Sequence, residues 1–298
     1  MMVAQIDQLS GLPFVLAKAR AYKELLKFRL SFLVAFSCAF GYVLASRDIN
    51  WLTLSMLFLG GFLLSGASSI INQIIEKDLD VLMTRTMGRP LPTNRVTVQE
   101  SVAVAITCTV AGVLILIAFT NPLTTALSVL SMILYGFVYT PLKRVGPVAV
   151  FVGAFPGALP PLLGWTAATG VISHEALIIF GIQFIWQFPH FWAIAWVADE
   201  DYKKAGFKLL PSGGQKDLNT AVQIMIYTMF LIPMGLLPAT FGITGIKSAI
   251  VVTLCGVAFF AMTFSLMKSG DRKSALKIMF ASFFYLPIVQ IAYVLDKI

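Results

Sequence analysis

Apolar runs of 18 to 25 residues recur along the 298-residue chain at approximately 29–46, 51–75, 100–119, 122–140, 147–168, 176–197, 219–239, 247–268 and 275–294. A hydrocarbon core about 30 Å thick is crossed by roughly 20 helical residues, so each run is long enough to span a bilayer. Inside lipid every backbone N–H and C=O must be bonded within the protein, and a single apolar run achieves this only as a helix. Only 12% of the residues are charged, too few to coat a soluble domain of this length. The expected fold is therefore all-α: a polytopic membrane protein of nine transmembrane helices.

The basic residues divide by side of the membrane. Lys18, Arg20, Lys23, Lys27 and Arg29 precede or open the first span, and Lys77, Arg85, Arg89 and Arg95 follow the second. Lys143 and Arg144 follow the fourth, Lys203, Lys204, Lys208 and Lys216 the sixth, and Lys268, Arg272, Lys273 and Lys277 the eighth. Only Arg47, Lys247 and Lys297 fall on the other side, a split of 19 to 3 among the 22 basic residues. Positive charge marks the cytoplasmic face, which predicts an inner, cytoplasmic membrane with the N-terminus inside and the C-terminus outside. The net charge of +8 is thereby topological, and no nucleic-acid partner is needed to explain it. Residues 12–28 alternate apolar and basic at helical spacing, the pattern of an interfacial helix contacting membrane lipid, behind a loose segment 1–11. The domain division is accordingly 1–28, tail and interfacial helix, and 29–298, the transmembrane domain. Cys38, Cys108 and Cys255 lie inside apolar runs without paired spacing and read as small apolar side chains.

The acids gather in two of the cytoplasmic stretches. Asn72, Glu76 and Asp80 are spaced i, i+4 and i+8, so a helix continued through them puts all three on one face, with Asp78 pointing elsewhere. Oxygen donors of this kind suit Mg²⁺, a hard cation usually shared with substrate phosphates. Arg85 and Arg89, again four apart, have the geometry to hold phosphate oxygens. A solvated helix end with ordinary salt bridges has the same composition, so this segment alone leaves both readings open. Asp199, Glu200 and Asp201 follow the sixth span and are trailed by Lys203, Lys204 and Lys208. A shift of 119 residues (199 minus 80) lays Asp80 on Asp199, Leu91 on Leu210 and Pro92 on Pro211, the mark of a four-helix internal repeat. Between the clusters, Lys143 and Arg144 offer a third phosphate clamp or simple anchoring at the inner face.

Two apolar spans carry unusual polar or helix-breaking residues. Trp186-Gln187-Phe188-Pro189-His190-Phe191-Trp192 places a Pro expected to kink the helix beside one of two histidines. His190 reads either as a substrate contact or as a histidine bonded to the carbonyl that Pro189 releases. Gly153 to Trp165, with Pro156, Pro160 and Pro161, reads as a Gly/Pro-interrupted span of the kind that lines cavities.

Six blocks together resemble the intramembrane prenyltransferases of the UbiA type, and within them the branch that farnesylates haem. They are Asn72-x3-Glu76-x3-Asp80, Met83 to Pro92, Leu142-Lys143-Arg144, Gly157 to Trp165, Trp186 to Phe191, and Asp201-Tyr202-x-x-Ala205-Gly206. The resemblance runs from about Lys27 to the C-terminus, and it departs from the wider family where His190-Phe191 replace an Asp. It implies nine helices around a central cavity open to the bilayer, farnesyl diphosphate and protohaem IX as substrates, and Mg²⁺ as cofactor. It also implies contact with enzymes that use haem O. Under this reading Asn72, Glu76, Asp80, Asp199 and Asp201 are the catalytic metal ligands. Arg85, Arg89, Lys143 and Arg144 bind diphosphate, and His190 touches the haem. A prenyltransferase acting on an aromatic or quinone precursor shares the fold. A transporter of anions is disfavoured, because its site belongs near the midplane while both acidic clusters lie on one face.

Overall fold

The computed structural model describes residues 12–298, so the expectation for 1–11 lies outside the described part. An interfacial helix α1 (Leu12–Leu25) leads into α2 (Phe28–Ala45), α3 (Trp51–Ile75) and the short α4 (Lys77–Asp80). There follow α5 (Val98–Phe119), α6 (Pro122–Ile133) with a π-helical turn (Leu134–Tyr139), and α7 (Thr140–Leu142). The second half holds α8 (Val148–Thr169), α9 (His174–Val197), α10 (Asp199–Lys204), α11 (Leu218–Thr240), α12 (Ile246–Ser269) and α13 (Arg272–Leu295). Nine of these segments, counting Pro122–Leu142 as one, are long and apolar enough to cross a membrane, so this is an integral membrane protein.

The helix starts are written locally. Asn50 caps α3 through the amides of Leu52 and Thr53, and Thr97 and Glu100 form a reciprocal capping box on α5. Asn121 caps α6 ahead of Pro122, whose missing N–H costs nothing in a first turn. Asp217 and Asp271 accept from Thr220 N and Ser274 N at the starts of α11 and α13.

The two halves repeat. α2, α3, α4, α5 and α6 start at Phe28, Trp51, Lys77, Val98 and Pro122; α8, α9, α10, α11 and α12 start at Val148, His174, Asp199, Leu218 and Ile246. Each pair is offset by 120 to 124 residues, close to the shift that aligns the acids. Small residues let the halves meet. A Cβ at Gly164 would overlap Cys38 O and Tyr42 N, and one at Gly41 would overlap Pro161 O, so α2 and α8 touch through their backbones.

The proline-bearing spans are not interrupted as expected. Helix α8 runs unbroken through Pro156, Pro160 and Pro161, and α9 through Pro189. For α8 the reason is visible in the bonding. Pro160 and Pro161 cannot donate to the carbonyls four residues back, Pro156 O and Gly157 O. Ser131 Oγ donates to Pro156 O at 3.3 Å, and the side-chain amides of Gln183 and Gln187 donate to Gly157 O at 2.8 and 3.1 Å. Neighbouring helices thus supply the bonds that the prolines forfeit. Gln290 and Ser37 complete the network on Gln183, tying α2, α8, α9 and α13 together in the apolar core.

Candidate active site

The helix expected to continue through Asp80 instead breaks at Glu76, whose backbone leaves the helical region (φ −95, ψ 7). Two bonds bridge the break: Glu76 N donates to Asn72 O at 3.0 Å, and Asp80 N to Glu76 O at 2.8 Å. The four-residue spacing therefore survives. Asn72, Glu76 and Asp80 are 1%, 3% and 0% exposed, whereas the side chain of Asp78 is 90% exposed.

A buried carboxylate is tolerable only when paired, and here each oxygen donor has its own basic side chain. Lys27 Nζ donates to Asn72 Oδ1 at 2.9 Å. Lys143 Nζ stands 2.8 Å from Glu76 Oε1, and Arg89 Nη1 contacts both oxygens of Asp80 at 2.8 Å. The Lys143–Glu76 contact is ionic rather than aligned as a hydrogen bond, which leaves Glu76 Oε1 a buried acceptor with no hydrogen-bond donor. Tyr139 and Phe207 present ring faces to Lys143 Nζ at 4.9 and 5.7 Å. The π-helical turn sets Thr140 beside this group: its hydroxyl donates to Tyr135 O at 2.9 Å and accepts from Asn72 Nδ2 at 3.2 Å. A cavity of about 370 Å³ opens here, with Glu76, Thr140 and Arg144 among apolar walls.

Lys27 is the joint between α1 and α2 and adopts a left-handed backbone (φ 44). Burial is the main reason its ammonium is pushed down to about 7, with Arg89 and Lys143 adding to the effect.

The second acidic cluster reaches the same loops. Asp201 accepts the backbone N–H groups of Thr84 and Arg85, both at 3.1 Å, and Lys204 stands 3.4 Å from it. Its burial opposes ionisation, but the amides of Arg85 and Thr84 outweigh that and hold the carboxyl below the usual aspartate range. Arg85 Nη2 donates to Tyr202 Oη at 3.1 Å. Asp199, 6% exposed, pairs with Lys203 at 2.9 Å and Lys216 at 3.2 Å. The expected convergence of two loops is thus present, through Asp201 and the Arg85 backbone. Among the described residues no three acidic, histidine or cysteine side chains form a cluster on their own. Arg85 and Arg89, read as phosphate clamps, are occupied by Tyr202 and Asp80. Arg144 is exposed at the cavity mouth.

His190 lies half-buried on α9, stacked on Trp186 at 4.3 Å, with Nδ1 2.9 Å from Ser282 Oγ. Its partner is a hydroxyl, not a carbonyl released by Pro189. Lys27, Thr140, Tyr202, Lys216 and Ser282 were not singled out by sequence reasoning. Tyr202 had a signal in its place beside Asp201, but nothing separates Lys27 from Lys23 until the fold half-buries it against Asn72.

Residues 34–286 match the model of the UbiA prenyltransferase family. The chain belongs to that family. A protoheme IX farnesyltransferase of Cytophaga hutchinsonii is 52% identical over 280 residues, covering 94% of this chain and 98% of its own. One of Flavobacterium psychrophilum is 45% identical over 300 residues, covering 98% and 99%. The fold is shared with a structure of digeranylgeranylglyceryl phosphate synthase in membranes (TM-score 0.77, 19% identity, covering 94% of this chain and 98% of that one). It is shared too with a UbiA homologue from Archaeoglobus fulgidus bound to DMAPP and Mg²⁺ (TM-score 0.69, 17% identity, covering 91% and 98%). Of the five residues expected to be catalytic, Asn72 lies in the last turn of α3, Glu76 at its C-cap, Asp80 at the end of α4, and Asp199 and Asp201 in α10.

Proposed function

We propose that this UbiA-family enzyme transfers the farnesyl group of farnesyl diphosphate to a vinyl group of protohaem IX, forming haem O. The acceptor rests on relatives alike over nearly the whole chain that bear that activity in their names. The chemistry rests on one observation: buried Asn72, Glu76 and Asp80, each facing a basic side chain, beside a cavity at the ends of the helices.

The difficult step is breaking the C1–O bond of the allylic diphosphate, with the bonding pair leaving on oxygen. Arg144 stands open at the cavity mouth to receive the diphosphate oxygens, and Lys143, Arg89 and Arg85 would exchange Glu76, Asp80 and Tyr202 for them, bidentate guanidinium contacts fixing the orientation. Mg²⁺ suits the donor set, because Asn72, Glu76 and Asp80 offer hard oxygens and Glu76 Oε1 is a buried acceptor without a donor. Asp199 and Asp201 would serve a second ion. When bound, Mg²⁺ supplies Lewis-acid stabilisation of the leaving group. The apolar walls exclude water while C1 is cationic. The vinyl π electrons then form the new C–C bond, and water adds to the resulting carbocation and releases a proton. The 19-to-3 division of the basic residues supports a cytoplasmic membrane with this site on its inner face. Residues 29–298 carry the activity, and the haem O product would pass to enzymes that use it.

Turnover by Glu76→Gln and Asp80→Asn variants tests the reading, with haems extracted and resolved. Loss of haem O from both, with the protein still folded in the membrane, is expected. Full haem O from both would reject the mechanism.

A further inference from the structure

His190 has two ring nitrogens, and the fold satisfies one. Ser282 Oγ lies 2.9 Å from Nδ1 and 2.6 Å from Met279 O. A hydroxyl carries a single proton, and Met279 O, which only accepts, takes it. Ser282 Oγ must then accept from the ring, so Nδ1 bears the hydrogen and Nε2 bears a lone pair. Among the described residues no group bonds Nε2. The reading of His190 as a fully satisfied core residue therefore accounts for half of it.

The surroundings hold the ring in one pose. Trp186 stacks on one face at 4.3 Å and 23°, while Phe191 and Phe283 meet it edge-on at 5.4 and 5.2 Å. Trp186 Nε1 also donates to Ser282 O at 3.0 Å, so the same turn of α13 is fixed twice. Ser282 is fully buried. A histidine whose one N–H is held by a fixed acceptor, leaving the other nitrogen free, is the usual arrangement of a metal-ligating imidazole.

The metal it suits is one that brings its other ligands along. No further acid, histidine or cysteine joins His190 in a cluster, so a bare ion would lack donors. An iron already bound by four porphyrin nitrogens needs only an axial base, and a neutral imidazole among aromatic rings supplies it. His190 is nine residues before Asp199, hence ~13 Å deeper along the helix direction than the acidic clusters.

We propose that His190 Nε2 is the axial ligand of the acceptor's iron and that Ser282 is the positioning residue that fixes its tautomer. This rests on protohaem IX being the acceptor. Ligation sets the height and tilt of the macrocycle, and so the approach of its vinyl group to the allylic carbon.

Purified protein titrated with ferric protohaem, then reduced, is examined by absorption and resonance Raman spectroscopy. The wild type is expected to show an iron–histidine band. His190→Ala should lose the band, weaken protohaem binding at least tenfold and still bind farnesyl diphosphate, and added imidazole should restore the band. His190→Met, which keeps a ligand of similar bulk, should convert the spectrum to thioether ligation. Ser282→Ala should keep the band, shift its frequency and weaken binding about tenfold. Retention of an unchanged band in His190→Ala overturns the assignment, as does a wild type that binds protohaem without the band. A wild type that binds no protohaem and farnesylates a different acceptor overturns the function as well.

Discussion

The carboxylate of Asp201 accepts the backbone N–H of Arg85 at 3.1 Å, joining the loop after α4 to helix α10 across 116 residues of sequence. Thr84 N bonds the other carboxylate oxygen, so the two acidic loops are latched by one side chain. Asp201 was expected as a metal ligand. In this geometry both of its oxygens accept from the opposite loop, so Asp201 also braces Arg85, Arg89 and Asp80.

Removing the brace should loosen the loop without unfolding the bundle. Asp201→Ala is expected to speed tryptic cleavage after Arg85 and to lower turnover by at least tenfold, with the thermal midpoint little changed. The ion is favoured in the fold, since its value lies below the ordinary 3.8. Its contribution is present above that value and is lost as pH falls through the lower folded one. Amide exchange at Thr84 and Arg85 should accelerate in that acidic range for the wild type and be fast at every pH in the variant.

Glu76 and Lys143 depend on each other. Glu76→Ala leaves Lys143, 9% exposed, as an uncompensated buried charge, and breaking such a pair costs about 3–5 kcal/mol. Glu76→Ala with Lys143→Met should recover most of that stability in thermal unfolding, yet neither variant should make haem O. Glu76→Gln should lower the rate by about 10²–10³, the effect of removing one charge-stabilising group. Independent, additive stability losses would show that the pair is not coupled.

Lys27 gives a pH signature of the same sign as Asp201 but in the neutral to alkaline range. Its folded value is about 7 against 10.5 when exposed. Between those values the unfolded chain holds a proton that the native protein does not, so stability rises with pH across the interval. The wild-type thermal midpoint should therefore climb from pH 7 to pH 9, and Lys27→Met should flatten the climb. Equal slopes would mean that Lys27 stays protonated.

Gln183 stands in for a backbone donor. Gln183→Leu removes one of two bonds to Gly157 O and strands Gln290 and Ser37, at a cost of about 1–3 kcal/mol. Adding Pro161→Ala restores an N–H to the carbonyl four residues back and should recover part of the loss. Thermal unfolding of the single and double variants measures it.

How much of this was legible beforehand follows from which interactions are local. All nine spans were readable because lipid imposes one length and one secondary structure on each. Asn72, Glu76 and Asp80 were readable because four-residue spacing survives even the break at Glu76. The unbroken α8 was not, since its prolines are rescued by Ser131, Gln183 and Gln187 from other helices. Neither were the partners of these oxygen donors: that Lys27 reaches Asn72, and Arg89 reaches Asp80, depends on where α1 and the loop fold back. The hydroxyl of Ser282 meets His190 from 92 residues away, and no spacing rule reaches that far.

The most direct measurement supplies purified protein in lipid with farnesyl diphosphate, Mg²⁺ and equal amounts of protohaem IX and 4-hydroxybenzoate, and resolves the extracted products. Haem O as the sole prenylated product, absent when the divalent ion is chelated, is the predicted result. Prenylated 4-hydroxybenzoate with unmodified protohaem would contradict it.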